Sequence, residues 1–233
     1  MIKGKKKAVT FSYDDGTVQD IRFIEMLSKY GLKCTFNLNS ELLGLPNTLI
    51  REDVTVCHDK VHPRDVKSIY DGHEVAVHTL VHPFLPGIKD EDVIIRQVEQ
   101  DRINLSELVG YEVVGMAYPG GGKNFDERVA DIIKKNTGVK YARTTVPTFN
   151  FDVQEDLYIF NPTVHHHHNW DKMYELGEKF LNSDTQDDQI FYIWGHTFEF
   201  DIDPVFWDKM EEFCKYISGH DDVFYGTNTE VLL

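Results

Sequence analysis

Short runs of β-branched and aromatic residues alternate with amphipathic stretches along the whole chain. Residues 8–13 (Ala-Val-Thr-Phe-Ser-Tyr) predict a strand, with Gly16 as its sharp exit. Thr17 is placed to cap a helix carrying Ile21, Ile24 and Leu27 and ending near Gly31. Residues 34–39 predict a second strand, 54–57 a short one and 73–78 another, with a helical turn at 65–70 between the last two. The longest helix is expected over 90–109, where Asp90 suits the N-cap and Ile95, Val98, Leu105 and Leu108 share a face before Gly110. Further strands are expected at 113–118, 140–145, 157–160, 189–196 and 223–225, and helices at 126–136, 170–181 and 204–217.

This alternation runs to the end without a low-complexity linker or a repeat. It predicts one α/β domain over residues 1–233, with a mostly parallel sheet and helices outside it. About seven or eight strands in 233 residues favour a single distorted (β/α) barrel, complete or incomplete, over an open doubly wound sheet. No Gly-x-Gly-x-x-Gly follows the first strand, which argues against a dinucleotide fold. Chemistry in such barrels gathers where strands end, and every candidate motif below falls at an expected strand end.

Charge narrows the partners. The 24 Lys+Arg against 39 Asp+Glu leave a net −15, which repels nucleic acid and anionic membrane surfaces and suits a neutral or cationic substrate. Cys34, Cys57 and Cys214 are odd in number and form no Cys-x-x-Cys pair, so reduced thiols are expected. The basic N-terminus meets Asp14 too soon to form a signal-peptide apolar region, and no run approaches the length of a membrane span. The expected location is cytoplasmic.

Asp14 and Asp15 end the first strand. Adjacent residues there point in different directions, so one can bind a metal while the other serves as a base, although Asp-Asp-Gly alone is most often a solvated turn. His78 and His82 follow another strand at a spacing that puts two imidazoles on one side of a helical turn, and Asp15 would complete a two-histidine, one-carboxylate site. His58 and His62 repeat the His-x-x-x-His-Pro form, and spacing alone does not choose between the pairs. His196 ends a strand as a candidate proton donor, with a satisfied structural histidine as the equal alternative. Tyr118-Pro119-Gly120-Gly121-Gly122 offers close backbone N–H groups of the kind an oxyanion site needs; a plain flexible loop is the alternative. Arg143, if turned inward, requires a carboxylate, and Asp14 is the obvious one. His165 to His168 form the most conspicuous run, for which solvation or adventitious metal is the expectation, with one or two rings reaching the site.

Together these motifs resemble the polysaccharide deacetylases of the NodB-homology type, the family-four carbohydrate esterases. Thr10-Phe11-Ser12-Tyr13-Asp14-Asp15-Gly16 is similar to the first family motif, and residues 72–83, ending His78-Thr79-Leu80-Val81-His82-Pro83, to the second. Tyr118-Pro119-Gly120-Gly121 corresponds to the third and Trp194-Gly195-His196 to the fifth. The resemblance implies Asp14 as base, Asp15, His78 and His82 as ligands of one divalent ion (zinc first, then cobalt or nickel), and His196 as general acid. Met116 and Ala117 stand where the family's third motif carries an arginine, and Arg143 is the expected replacement. The fourth motif is only loosely echoed by His168-Asn169-Trp170.

The implied reaction is metal-assisted removal of acetyl groups from N-acetylated, or O-acetylated, carbohydrate. Gly120 would support the oxyanion through its backbone, with Tyr118 beside it, and Trp170 and Trp194 would hold the acetyl methyl. A rival keeps the metal and changes the substrate to a formamide, ureide or other small amide. A third reading, an inactive carbohydrate-binding barrel, leaves Asp14 and His196 without a purpose.

Overall fold

The computed structural model describes residues 2–233. Among the described residues there are ten strands: β1 (Lys7–Asp14), β2 (Cys34–Leu38), β3 (Thr48–Arg51), β4 (Val54–Cys57), β5 (Glu74–Val77), β6 (Gly115–Ala117), β7 (Tyr141–Arg143), β8 (Val164–His165), β9 (Gln189–His196) and β10 (Val223–Tyr225). Seven follow one another in a curled parallel sheet in the order β7-β6-β5-β2-β1-β9-β8, with β10 paired to β1 beside that path. Helices flank the sheet, giving the distorted (β/α) barrel that the alternation predicts.

β1 is the hub. It pairs with β9 along its whole length, with β10 over Lys7 to Val9 and with β2 from Phe11 onward. All eight of its residues are buried, as expected of a parallel strand covered on both faces. The barrel is drawn together by residues 160–165. Phe160 bridges Arg143 at one end, and Val164 and His165 pair with Ile193 and Trp194 at the other. The strand expected at 157–160 is therefore corrected: Leu157–Ile159 is a single 3-10 turn, and only Phe160 joins the sheet.

β3 and β4 form a separate antiparallel hairpin whose tip, Glu52 and Asp53, has positive φ at both residues, the signature of a tight hairpin turn. Thr17 does not cap the first helix. Its hydroxyl pairs with that of Thr197 at 2.9 Å, and the helix Asp20–Lys29 buries Phe23, Met26 and Leu27 while Ile21 is exposed. The helix expected over 90–109 is capped by the Asp90 carboxylate and closed by Gly110 in the left-handed region, but Arg96–Gln100 is a π-turn. Among the described residues no helix is long and apolar enough to cross a membrane.

Candidate active site

Sheet register brings the site together. Asp14 is the last residue of β1, and its partners across the sheet are Asn37 on one side and His196 on the other. Arg143 ends β7 opposite Ala117, one strand away from where an arginine of the third motif would stand. It is long enough to cross the barrel interior. Its Nη2 lies 2.6 and 2.5 Å from the two oxygens of Asp14, Asn37 donates to Asp14 Oδ1 at 2.8 Å, and the guanidinium lies over the Trp194 ring at 4.3 Å. Both ends of the pair are buried. Burial would push the Asp14 carboxyl up, but the guanidinium, helped by His78 and His196, holds it below its ordinary range.

Asp15 turns away from Asp14 because its φ is +83°. Its Oδ2 accepts from His58 Nε2 at 3.0 Å and its carbonyl from Lys60 Nζ at 2.7 Å. Burial opposes its ionisation, and Lys60 with His58 more than reverses that effect. Its Oδ1 lies 3.8 Å from both His78 Nε2 and His82 Nε2. The rival histidine pair is thus split: His58 braces Asp15, whereas exposed His62 accepts the Arg64 N–H outside the pocket wall.

The histidine turn is strained and braced. Thr79 and His82 both have positive φ, unusual above all for a β-branched residue. Asn39 donates to the carbonyls of His78 and Thr79, and Thr79 Oγ1 accepts the His82 N–H. Leu80 N–H reaches the Gln97 carbonyl inside the π-turn, and Asp101, four residues on, accepts from His78 N–H. Such π-turns recur where a helix serves a functional loop.

These groups suit a divalent ion. His78 Nδ1 donates to the Ala117 carbonyl at 2.8 Å, which places the lone pair on Nε2, and that buried Nε2 has no hydrogen-bond partner. Burial lowers the His78 pKa to about 4, so the ring is neutral at neutral pH. A neutral imidazole fixed through its other nitrogen, beside a carboxylate and a second imidazole, is the donor set of a transition-metal site with open positions.

His196 faces the same cavity, of about 390 Å³. Its Nδ1 lies 3.3 Å from Glu199 Oε1, and its backbone N–H donates to Glu199 Oε2 at 3.0 Å. Burial disfavours the imidazolium, yet the Glu199 charge outweighs it, with Asp15 and Asp14 adding to the effect, and raises the pKa to about 9. Nothing in the sequence marks Asn37 as a site residue. The only signal for Glu199 is its place three residues after His196, where the two form a capping box.

Gly120 and Trp194 line the cavity. Tyr118 and Trp170 do not, and their substrate-binding assignment is corrected: the Tyr118 hydroxyl is spent on the Tyr158 carbonyl, and Trp170 stacks on Phe206. The histidine run is only partly solvated: His168 is exposed and His167 half-buried, and both line the cavity with His165. His165 and His166 are buried, since β8 joins the sheet, and His167 donates to Glu52 of the hairpin at 2.9 Å.

The family profile described as polysaccharide deacetylase matches residues 2–142. No curated protein matches the chain. Among solved structures, the chain resembles "T48 deacetylase with substrate" at 16% identity and TM-score 0.59, covering 97% of this chain and 90% of that one. It resembles the Streptococcus pyogenes deacetylase PplD with acetate at 20% identity and TM-score 0.55, over 68% of this chain and 64% of that one. It also resembles BA3943 of Bacillus anthracis, described as a CE4 family pseudoenzyme, at 19% identity and TM-score 0.53, over 98% of this chain and 66% of that one. The chain thus spans a little under two thirds of the length of PplD and BA3943, and at these identities the likeness concerns the fold. With the family profile covering well over half of its residues, the chain belongs to the polysaccharide deacetylase family.

Proposed function

We propose that this protein is a metal-dependent hydrolase that removes acetyl groups from N-acetylated carbohydrate. The observation that carries the reading is the convergence of three units on one cavity. They are an ionised, clamped Asp14, a two-histidine, one-carboxylate cluster, and a His196–Glu199 pair. A pseudoenzyme among the structural relatives makes these residues, rather than the fold, the basis for activity.

Asp15, His78 and His82 would hold the ion, zinc being the first choice for this donor set. When bound, it would polarise the acyl oxygen and acidify a water. Asp14 Oδ2, which faces His78 Nε2 at 3.9 Å, accepts the proton of the attacking water. The backbone at Gly120 lies in the wall where acyl-oxygen contacts are needed, and Trp194 offers an apolar face for the methyl group. His196 donates its proton to the departing nitrogen, without which an amine leaves poorly. Arg143 acts through Asp14 as a positioning residue, and Glu199 acts in the same way through His196.

The hairpin tip favours a second substrate class for the same chemistry. Arg51 and Glu52 line the cavity, and the Glu52–His167 contact narrows it on that side, which suits a short sugar or a small amide over the interior of a long chain. The test is acetate release by metal-reconstituted protein from N-acetylglucosamine oligomers of graded length, peptidoglycan fragments and acetylated xylan, and amine or ammonia release from small amides. Release from the oligomers supports the proposal. Turnover of small amides alone transfers the site to the second reading, and no turnover of any substrate overturns both.

A further inference from the structure

The histidine run has a use that the deacetylation chemistry does not absorb. We propose that His165, His168 and Glu199 form a second site for a divalent transition-metal ion, separate from the Asp15–His78–His82 cluster and on the Glu199 side of His196.

The three side chains offer two imidazole nitrogens and a carboxylate oxygen within 4.8 Å of one another. His165 Nε2 lies 3.5 Å from Glu199 Oε2 without a hydrogen bond between them. Two ligand atoms on one tetrahedral zinc, each about 2.0–2.1 Å from it, sit roughly 3.3 Å apart, so this pair is already close to ligand spacing. His168 follows three residues later on the short turn His167–Asn169, and its ring stacks on His165 at 4.5 Å and 19°. The two ring planes are therefore nearly parallel, with one nitrogen of each within reach of the Glu199 carboxylate. His165 and Glu199 are buried while His168 is exposed, which combines a dry floor with an open entrance. A further nitrogen faces the same carboxylate: fully buried His166 Nε2 has no hydrogen-bond partner and lies 3.7 Å from Glu199 Oε2.

The donors name the class of ion. Two imidazoles and one carboxylate suit zinc, cobalt, nickel or copper and reject magnesium and calcium, which require oxygen donors. The adjustment is small. The His168 backbone N–H now reaches His165 Nδ1 at a long 3.3 Å; moving the ring proton to Nδ1 frees the Nε2 lone pair for the ion and requires the exposed His168 turn to swing its N–H off that nitrogen. Because Glu199 Oε1 faces His196, an ion on Oε2 shares the carboxylate with the proposed general acid and draws negative charge away from it. Filling this site slows turnover.

The proposal stands independently of the deacetylation reading, because its first readout is binding. The metal-free full chain is titrated with zinc by calorimetry and with cobalt by visible absorption. Two equivalents in the wild type, falling to one in both His168→Ala and His82→Ala, are expected. One equivalent in the wild type, or two retained in His168→Ala, overturns the second site. Two retained in His82→Ala indicts the first cluster instead. Circular dichroism checks each variant's fold, and His168→Asn provides the same comparison should the alanine protein fail to fold. Loss of turnover across the second equivalent supports the link through Glu199, and constant turnover overturns that link.

Discussion

A single nitrogen of Arg143 meets both carboxylate oxygens of Asp14, at 2.6 and 2.5 Å, in the buried centre of the barrel. Removing one partner of such a pair leaves an uncompensated buried charge, which costs about 3–5 kcal/mol. Arg143→Ala is expected to lower kcat by about a hundredfold, in the range of a mispositioned general base, with a much smaller change in KM. Added guanidinium should restore part of the rate by occupying the vacated space. A variant that keeps wild-type kcat would remove Arg143 from the mechanism.

Glu199 gives His196 its positive charge, and the leaving group reveals whether that charge is used. Glu199→Gln should reduce turnover of an acetamide by about tenfold or more, since protonation of the departing nitrogen is slowed. Hydrolysis of para-nitrophenyl acetate, whose leaving group needs no proton, should change far less. Equal losses on the two substrates would mean that Glu199 only maintains structure.

The parts of this site that were legible in the sequence are those that local chemistry announces: adjacent carboxylates at a strand end, two histidines four residues apart, and an arginine too costly to bury alone. Asn37 was not legible because its contact with Asp14 is set by the β1–β2 register, and an asparagine in a strand carries no mark of its partner. The supports of the histidine turn, Asn39, Gln97 and Asp101, lie on two other elements for the same reason. Tyr118 and Trp170 show the converse. Each sits beside a motif in the chain, yet one points into the core and the other onto Phe206.

Metal dependence provides a graded series. Dialysis against a strong chelator should abolish acetate release, and zinc or cobalt should restore it. His82→Ala removes a proposed ligand and should lose stoichiometric occupancy at that site. His58→Gln leaves the three proposed ligands in place and removes the imidazole that braces Asp15, along with its contacts to Asn47 and Lys60, so a weakening of about 10–100-fold is expected, as for other outer contacts of a metal site. Equal metal affinity in His58→Gln and wild type, measured by competition with a chromogenic chelator, would show that the His58–Asp15 contact does not tune binding.

Gly195, between Trp194 and His196, is required by packing. A Cβ there would lie 2.0 Å from His166 Nδ1 and 2.3 Å from its Cε1, and His166 is fully buried against Tyr13 and Phe200. Gly195→Ala should therefore destabilise the fold by about 1–3 kcal/mol, as overpacking does. Adding His166→Ala removes the clash, so urea denaturation of the double variant should show a loss smaller than the sum of the two single losses. Simple additivity would place the cost of the alanine elsewhere.

Asp20 predicts a pH dependence of stability that can be isolated from the rest. Its carboxyl is fully buried, and although Thr197 and Tyr70 donate to it at 2.6 and 2.7 Å, burial pushes its pKa from 3.8 up to about 7. Between those values the unfolded chain has lost the proton and the folded chain keeps it, so stability falls as pH rises from about 4 to 7 and then levels off. The full effect is on the order of 4 kcal/mol. His73 and His78, with pKa values lowered to about 4, and His165, lowered to about 3, act in the opposite sense below their unfolded value of 6.5. Total stability therefore conceals the aspartate. The difference between wild type and Asp20→Asn exposes it: urea unfolding from pH 5 to 8 should show the wild type losing ground against the variant up to about pH 7 and then holding level. A constant difference would mean that Asp20 is ionised in the folded protein throughout, with its two hydroxyl donors outweighing burial.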